Sequence, residues 1–303
     1  MRDKKRPQDN SESRFFKRQR LWGLVFVLPA LLGLILFAFL PMFTAFYYSI
    51  TDYNLLEPPN FVGLENYKAI FFDARFRIAL SNTIVYALGS ALPIWVISLL
   101  LAMAFIQRIP GRNVLRTLYF APVILGGVVV SIVWRLIYHP QGLMNATIGQ
   151  LFHFAPNWLN HPQFAPLALI LVNIWQSIGF MMIIFIAGLQ EIPQDFYDAA
   201  KVDGANPWKS FWHITLPLLK PTSLFVMVIL LINGFQAFTY QYVMTKGGPS
   251  DETNVIGLFI FQNAFQYLRM GYAAAVSVLL FAVILILTVI QLRVARTEEV
   301  SFS

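Results

Sequence analysis

The chain contains no cysteine. That absence excludes a disulfide framework, a thiolate metal site and thiol chemistry. Charge is scarce too: Asp, Glu, Lys and Arg make up 12% of the 303 residues, where a soluble domain carries roughly a quarter. No Asp, Glu, Lys or His falls in the core of the long apolar runs described below. Carriers and pumps driven by protons or sodium usually need ionisable groups there, so a self-powered carrier is disfavoured. The G-x-x-x-x-G-K-[ST] phosphate loop is missing, as are H-E-x-x-H and G-x-S-x-G, so nucleotide binding by that loop is not expected. His139, His153, His161 and His213 are scattered and read as interfacial or surface residues rather than metal ligands. With no nucleophile–base pair in sight, the chain is expected not to be an enzyme and to bind no cofactor or metal itself.

What the chain does have is apolar sequence. Hydrophobic residues make up 57% of it, and several runs exceed the ~20 residues that cross a bilayer. A β-barrel would instead alternate apolar and polar over about ten residues per strand. The predicted fold is all-α integral membrane, with six transmembrane helices at about 21–50, 78–106, 117–138, 165–189, 222–244 and 271–292. They form one domain over 21–295, flanked by a basic tail at 1–20 and a short tail at 296–303. The first run is too long for a signal-peptide core and lacks a small-residue cleavage site, which predicts a retained span. Pro29 and Pro41 predict kinks in it. Residues 64–72 are expected to form a short interfacial helix.

Lys and Arg set the orientation. The net charge is +7, but eight of the 22 basic residues lie in the first 20 positions. A basic tail beside a first span is a topology signal, not a nucleic-acid footprint. Sixteen Lys and Arg fall on the side of the termini and of loops 107–116 and 190–221, against five on the other. Both termini and the 190–221 loop are therefore expected in the cytoplasm. Arg135, near the outer end of span three, can snorkel to the headgroups.

Inside the spans the polar groups are uncharged and spaced for helices. Asn173, Gln176, Ser177 and Phe180 fall at i, i+3, i+4 and i+7 in span four. Asn233, Gln236 and Tyr240 fall at i, i+3 and i+7 in span five. Each set shares one helix face. Amides both donate and accept, and aromatic rings cover apolar faces, a mixture suited to a neutral polyhydroxylated solute. Hydrogen bonding between helices explains the same pattern, and spacing alone leaves both open.

One polar stretch, 191–221, interrupts the apolar runs before span five. Pro193 can open a helix, and 194–202 reads as helical. Ala199 and Ala200 permit close approach of another surface. Gly204 marks a helix end, and Asn206-Pro207 supplies a cap and a first-turn proline for a second helix. Phe211, Trp212, Ile214 and Leu216 give that helix its apolar side. The picture is a helix–turn–helix along the cytoplasmic face.

Asp198-Ala199-Ala200 followed by Asp203-Gly204-Ala205, Phe211, Ile214, Leu216-Pro217 and Pro221 resembles the EAA signature of binding-protein-dependent ABC importer permeases, with Asp198 where the family has Glu. Phe61-Val62-Gly63-Leu64-Glu65-Asn66-Tyr67 and Gly247-Gly248-Pro249 resemble the carbohydrate-uptake branch, the maltose and glycerol-3-phosphate type. The likeness covers roughly residues 20–295. It implies the type I importer permease fold. It also implies a second, homologous permease subunit and two cytoplasmic ATPases carrying ATP and Mg. An extracytoplasmic sugar-binding protein would deliver the solute. It further implies that Asp198, Ala199, Ala200, Asp203, Gly204 and Ala205 couple this chain to the ATPases by alternating access. Carried over from the maltose permease, sugar contacts would fall on Val123, Gly127, Asn173, Ser177, Phe180, Asn233, Gly234 and Ala237. Only Asn173 matches in residue type. Another solute, such as a glycerophosphodiester, and a channel or scaffold are the competing readings.

Overall fold

The computed structural model describes residues 22–23, 25–107, 110–149, 151 and 154–299. The basic tail at 1–20, Arg108, His153 and residues 300–303 lie outside the described residues. Helix α1 spans Val25–Ser49. A π turn at Ile35–Phe39 precedes Pro41, which has no N–H to give; the Leu40 N–H reaches Ile35 O instead. A two-residue ribbon pairs β1 (Thr51–Asp52) with β2 (Asn60–Phe61). The short helix expected near 64–72 is α2, Glu65–Phe72.

Asp73 then starts α3, Ala74–Ile106, by accepting hydrogen bonds from the Arg75 and Phe76 amides. This satisfies orphan donors of the first turn. The helix begins before the apolar run does, because the cap rather than hydropathy sets its start. Helix α6, Phe164–Glu191, runs parallel to α3, and Ser98 Oγ donates to Ile178 O at 3.1 Å between them. Helix α9, Lys220–Phe235, returns against both. Ala91, Ile94, Met182, Phe185, Val226 and Leu230 from these three helices form the main buried cluster. In lipid, apolar burial drives helix association little, so close backbone approach has to supply the packing. Gly234 shows it: a Cβ there would lie 2.8 Å from Ala87 Cα. Helix α10, Met270–Glu299, packs on α1, with the rings of Phe46 and Phe281 edge to face at 6.2 Å.

Two expected spans are not single rods. The expected span 117–138 is divided into α4, Arg112–Ile124, and α5, Gly127–Ile137, which meet at 101°. Pro122 removes one helical donor and Gly126-Gly127 favour the helix little; Leu125 and Gly126 adopt extended backbone. The expected span 222–244 ends as a helix at Phe235; Gln236 leaves the helical region, and a π turn follows at Gln241–Thr245. Among the described residues, four helices are individually long and apolar enough to cross a membrane, or up to six spans if each bent pair counts as one.

Candidate functional site

The polar face of α6 is partly real and partly diverted. Ser177 Oγ donates to Asn173 Oδ1 at 3.2 Å, so these two form one polar unit. Gln176 points elsewhere. Its Nε2 donates to Leu125 O at 2.8 Å and approaches Pro122 O at 3.4 Å. Leu125 sits in the bend, and Pro122 O already accepts the Leu125 N–H at 3.2 Å, so Gln176 braces the bend chiefly through Leu125 O. Phe180 is 43% exposed.

Asn233 on α9 and Gln236 just past its end are exposed. The helix stops between Asn233 and Tyr240, so the single helical face expected over 233–240 does not exist. Tyr240 instead sits against the first residue of α5: a Cβ on Gly127 would lie 3.3 Å from Thr239 Cγ2 and 4.0 Å from the Tyr240 ring. The break in span five thus meets the bend in span three. Among the described residues no hydrogen bond joins the α6 set to the α9 set. Spacing also missed Gln241, which is 1% exposed and whose amide lies within reach of the Tyr86 hydroxyl. An amide inside an apolar run was the signal available.

At the far end of α9 lies the polar stretch. It folds as α7, Gln194–Val202, and α8, Pro207–Leu218, the latter meeting α9 at 66°. Gly204 takes φ +77°, the left-handed position that closes a helix at little cost only for glycine. The Ala205 N–H reaches Ala200 O at 2.8 Å, and the Gly204 N–H reaches Lys201 O at 3.1 Å. Asn206 Oδ1 accepts from Lys209 N at 2.8 Å, capping α8. The Tyr197 and Thr215 hydroxyls meet at 3.0 Å and bolt the two helices together.

Asp198, Ala199, Asp203 and Gly204 are exposed, and Ala200 and Ala205 are half-buried. Lys201 Nζ lies 2.9 Å from Asp198 Oδ1. That hydrogen bond, with a weaker one from Gln194, holds the Asp198 carboxyl below its ordinary pKa. Val202 is 88% exposed and Trp208 68%, with Trp208 and Trp212 edge to face at 5.7 Å. Between the helices runs an open groove of about 350 Å³, lined by Ala200, Asp203, Ala205, Lys209, His213 and Ile214 among others. Among the described residues no three Asp, Glu or His side chains are placed to hold a metal ion.

Comparison with known proteins identifies this architecture. The family described as "Binding-protein-dependent transport system inner membrane component" matches residues 69–298. The probable starch degradation products transport system permease protein AmyD of Thermoanaerobacterium thermosulfurigenes is 34% identical over 292 residues, covering 95% of this chain and 98% of the relative. The multiple sugar-binding transport system permease protein MsmF of Streptococcus mutans is 32% identical, covering 93% and 97%. The fold matches a chain of a bacterial alginate ABC transporter, crystallised with an alginate pentasaccharide-bound periplasmic protein. That match has a TM-score of 0.79 at 23% identity, over 94% of this chain and 96% of that one. These matches bear out the resemblance to carbohydrate-uptake ABC permeases and make the chain a multi-pass protein of the bacterial inner membrane. The chain belongs to the binding-protein-dependent transport system inner membrane component family.

Proposed function

We propose that the chain is the permease subunit of an ATP-driven importer of an oligosaccharide or related neutral carbohydrate. The observation that carries this is the α7–α8 corner. It is a rigid two-helix lever, closed at Gly204 and bolted at Tyr197–Thr215, that leads directly into the broken span five. Ala199, Val202, Trp208 and Trp212 give it an exposed surface for another protein. The occupant we assign is one of two ATPase subunits, which carry ATP and Mg, and Asp198 is the charge presented to it. The Lys and Arg distribution supports a cytoplasmic place for this corner and both termini.

Exposed carboxamides at Asn233 and Gln236 support the second half of the reading. Such groups are costly against hydrocarbon. A second, homologous permease subunit covers this face and encloses a watered path lined by Asn173, Ser177, Phe180, Asn233, Gln236 and Tyr240. An extracytoplasmic binding protein loads the solute. ATP binding shifts the population between two states through the lever.

The test is uptake into vesicles holding the assembled transporter, with a sugar panel first screened against the binding protein. Uptake of one of those sugars is expected to depend on this chain. Asp198→Ala is expected to leave ATP hydrolysis running while uptake falls at least tenfold. Uptake unchanged without this chain refutes the transport role, and wild-type uptake by Asp198→Ala refutes the role of Asp198.

A further inference from the structure

Helix α2 is fastened to the chain on one side and bare on the other. Asn66 Nδ2 donates to Ser49 O at 3.0 Å and to Thr51 O at 2.9 Å, and the Tyr67 hydroxyl donates to Ser49 Oγ at 2.8 Å. Ile70 is wholly buried, in one cluster with Phe259, Tyr272 and Val276. These contacts fix α2 on the end of α1 and the start of α10. Its other side carries Leu64, Lys68, Phe71 and Phe72, all exposed. Their spacing of i, i+4, i+7 and i+8 puts them on one face. Phe71 and Phe72 are 71% and 85% exposed. A clustered apolar surface held outward by a fixed helix marks a contact with something outside the chain.

The level of the helix and the charges beside it identify that contact. Helix α1 has 25 residues, which at about 1.5 Å each makes it about 37 Å long. A bilayer with its headgroups is about 40–45 Å thick. The Ser49 end of a spanning α1 therefore lies among headgroups, and the bonds to Ser49 and Thr51 hold α2 at that depth. Past Asp73, exposed Ile78, Val85, Leu88 and Leu92 share one face of α3, so bare apolar surface continues from α2 into the span. Two cations flank it. Among the described residues Lys68 forms no ion pair, and Arg77 Nη1 donates to Phe71 O at 3.2 Å, which folds Arg77 back over the end of α2. Arg75 is engaged elsewhere, with Asp251 at 3.2 Å. Exposed Glu65 stands in the first turn, where a carboxylate suits the helix dipole. Apolar rings on one face, edged by Lys and Arg, are the pattern of a helix lying in the membrane interface.

We propose that α2 is a phospholipid seat. Leu64, Phe71 and Phe72 enter the boundary between headgroups and acyl chains. Lys68 and Arg77 bind the phosphates of the lipids around them, since ammonium and guanidinium groups both pair with phosphate oxygens. Through its bonds to Ser49 and its junction with α3, the helix fixes the depth at which α1 and α3 sit. This seat gives the interfacial helix expected at 64–72 its ligand, and it holds whatever the solute is.

The chain has no cysteine, so a single label reports alone when the partner subunits are cysteine-free. Phe72→Cys and, as a reference in the middle of α1, Phe37→Cys carry a fluorophore in the assembled transporter. The complex sits in nanodiscs of phosphatidylethanolamine and phosphatidylglycerol in equal parts. Label at 72 is expected to be quenched about threefold more by a lipid with a nitroxide just below its headgroup than by one with the nitroxide at the chain end, and label at 37 the reverse. Quenching at 72 by aqueous iodide and by neither lipid overturns the proposal. If added binding protein then removes the iodide quenching, the face docks a protein instead. Quenching at 72 that matches label at 37 makes the face an ordinary span wall and overturns it too. The cations are tested by Lys68→Gln combined with Arg77→Gln. The unfolding midpoint is expected to fall by about 2 °C or more in the nanodiscs and to stay put in maltoside micelles, which offer no phosphate. An equal fall in both, or none in either, refutes phosphate binding by Lys68 and Arg77.

Discussion

Gln176 and Asp198 show how one residue's role follows from what its side chain reaches. Gln176 shares a helix face with Asn173 and Ser177, yet its amide goes to Leu125 O and Pro122 O. Gln176→Leu is expected to cost about 1 kcal/mol, the usual net worth of one such bond. A lowered unfolding midpoint of the purified transporter would show it. KM for sugar is expected to stay put, which separates a brace from a contact. Asp198 is exposed, and its depressed pKa comes from Lys201 and Gln194. For a carboxylate whose folded-state pKa is lowered, the pairing is present above the unfolded value and lost as pH falls through the folded one. Coupling through Asp198 is therefore expected to be flat between pH 6 and 8, measured as the ratio of uptake to ATP hydrolysis.

Among the elements, α7 and α8 were legible and the broken spans were not. Helix 194–202, its end at Gly204 and the Asn206-Pro207 start appear in the structure where local signals put them, because caps and left-handed corners act within a few residues. Gly204→Val is expected to cost about 1–2 kcal/mol through its left-handed backbone. It should also loosen the corner, lowering uptake per ATP hydrolysed. The α4–α5 bend is different. Pro122 and Gly126-Gly127 are visible in the sequence, but a proline within a span can also leave a mere kink. The bend reaches 101° with Gln176, 51 residues away, donating to Leu125 O. Helix α6 can lie there because it carries Gly179, where a Cβ would run into the Tyr119 carbonyl. Gly179→Val is expected to abolish assembly of the transporter, seen as loss of the intact complex on size exclusion.

The whole molecule is unfinished as a single chain. None of the membrane window of α1 is buried, and the amides of Asn233 and Gln236 at the end of α9 are exposed. Because the chain has no cysteine, single substitutions report cleanly. In the assembled transporter, Asn233→Cys and Gln236→Cys are expected to react with a membrane-impermeant thiol reagent in at least one nucleotide state. Phe37→Cys on α1 is expected to stay silent. If the two amide positions are silent in every state, they face no water path. Trp208→Cys is expected to label only from the cytoplasmic side, which tests the orientation drawn from Lys and Arg.

Composition and local signals by themselves determined a helical membrane protein, its number of apolar runs and the two-helix corner before span five. They could do so because hydropathy, charge bias and helix caps all act over a few residues or along one segment. The structure alone decided that spans three and five are broken, that Gln176 braces one break and that Gln241 is buried beside the other. Those outcomes depend on which backbone groups distant helices leave unpaired and which side chains arrive to meet them, and no single stretch of sequence contains both partners.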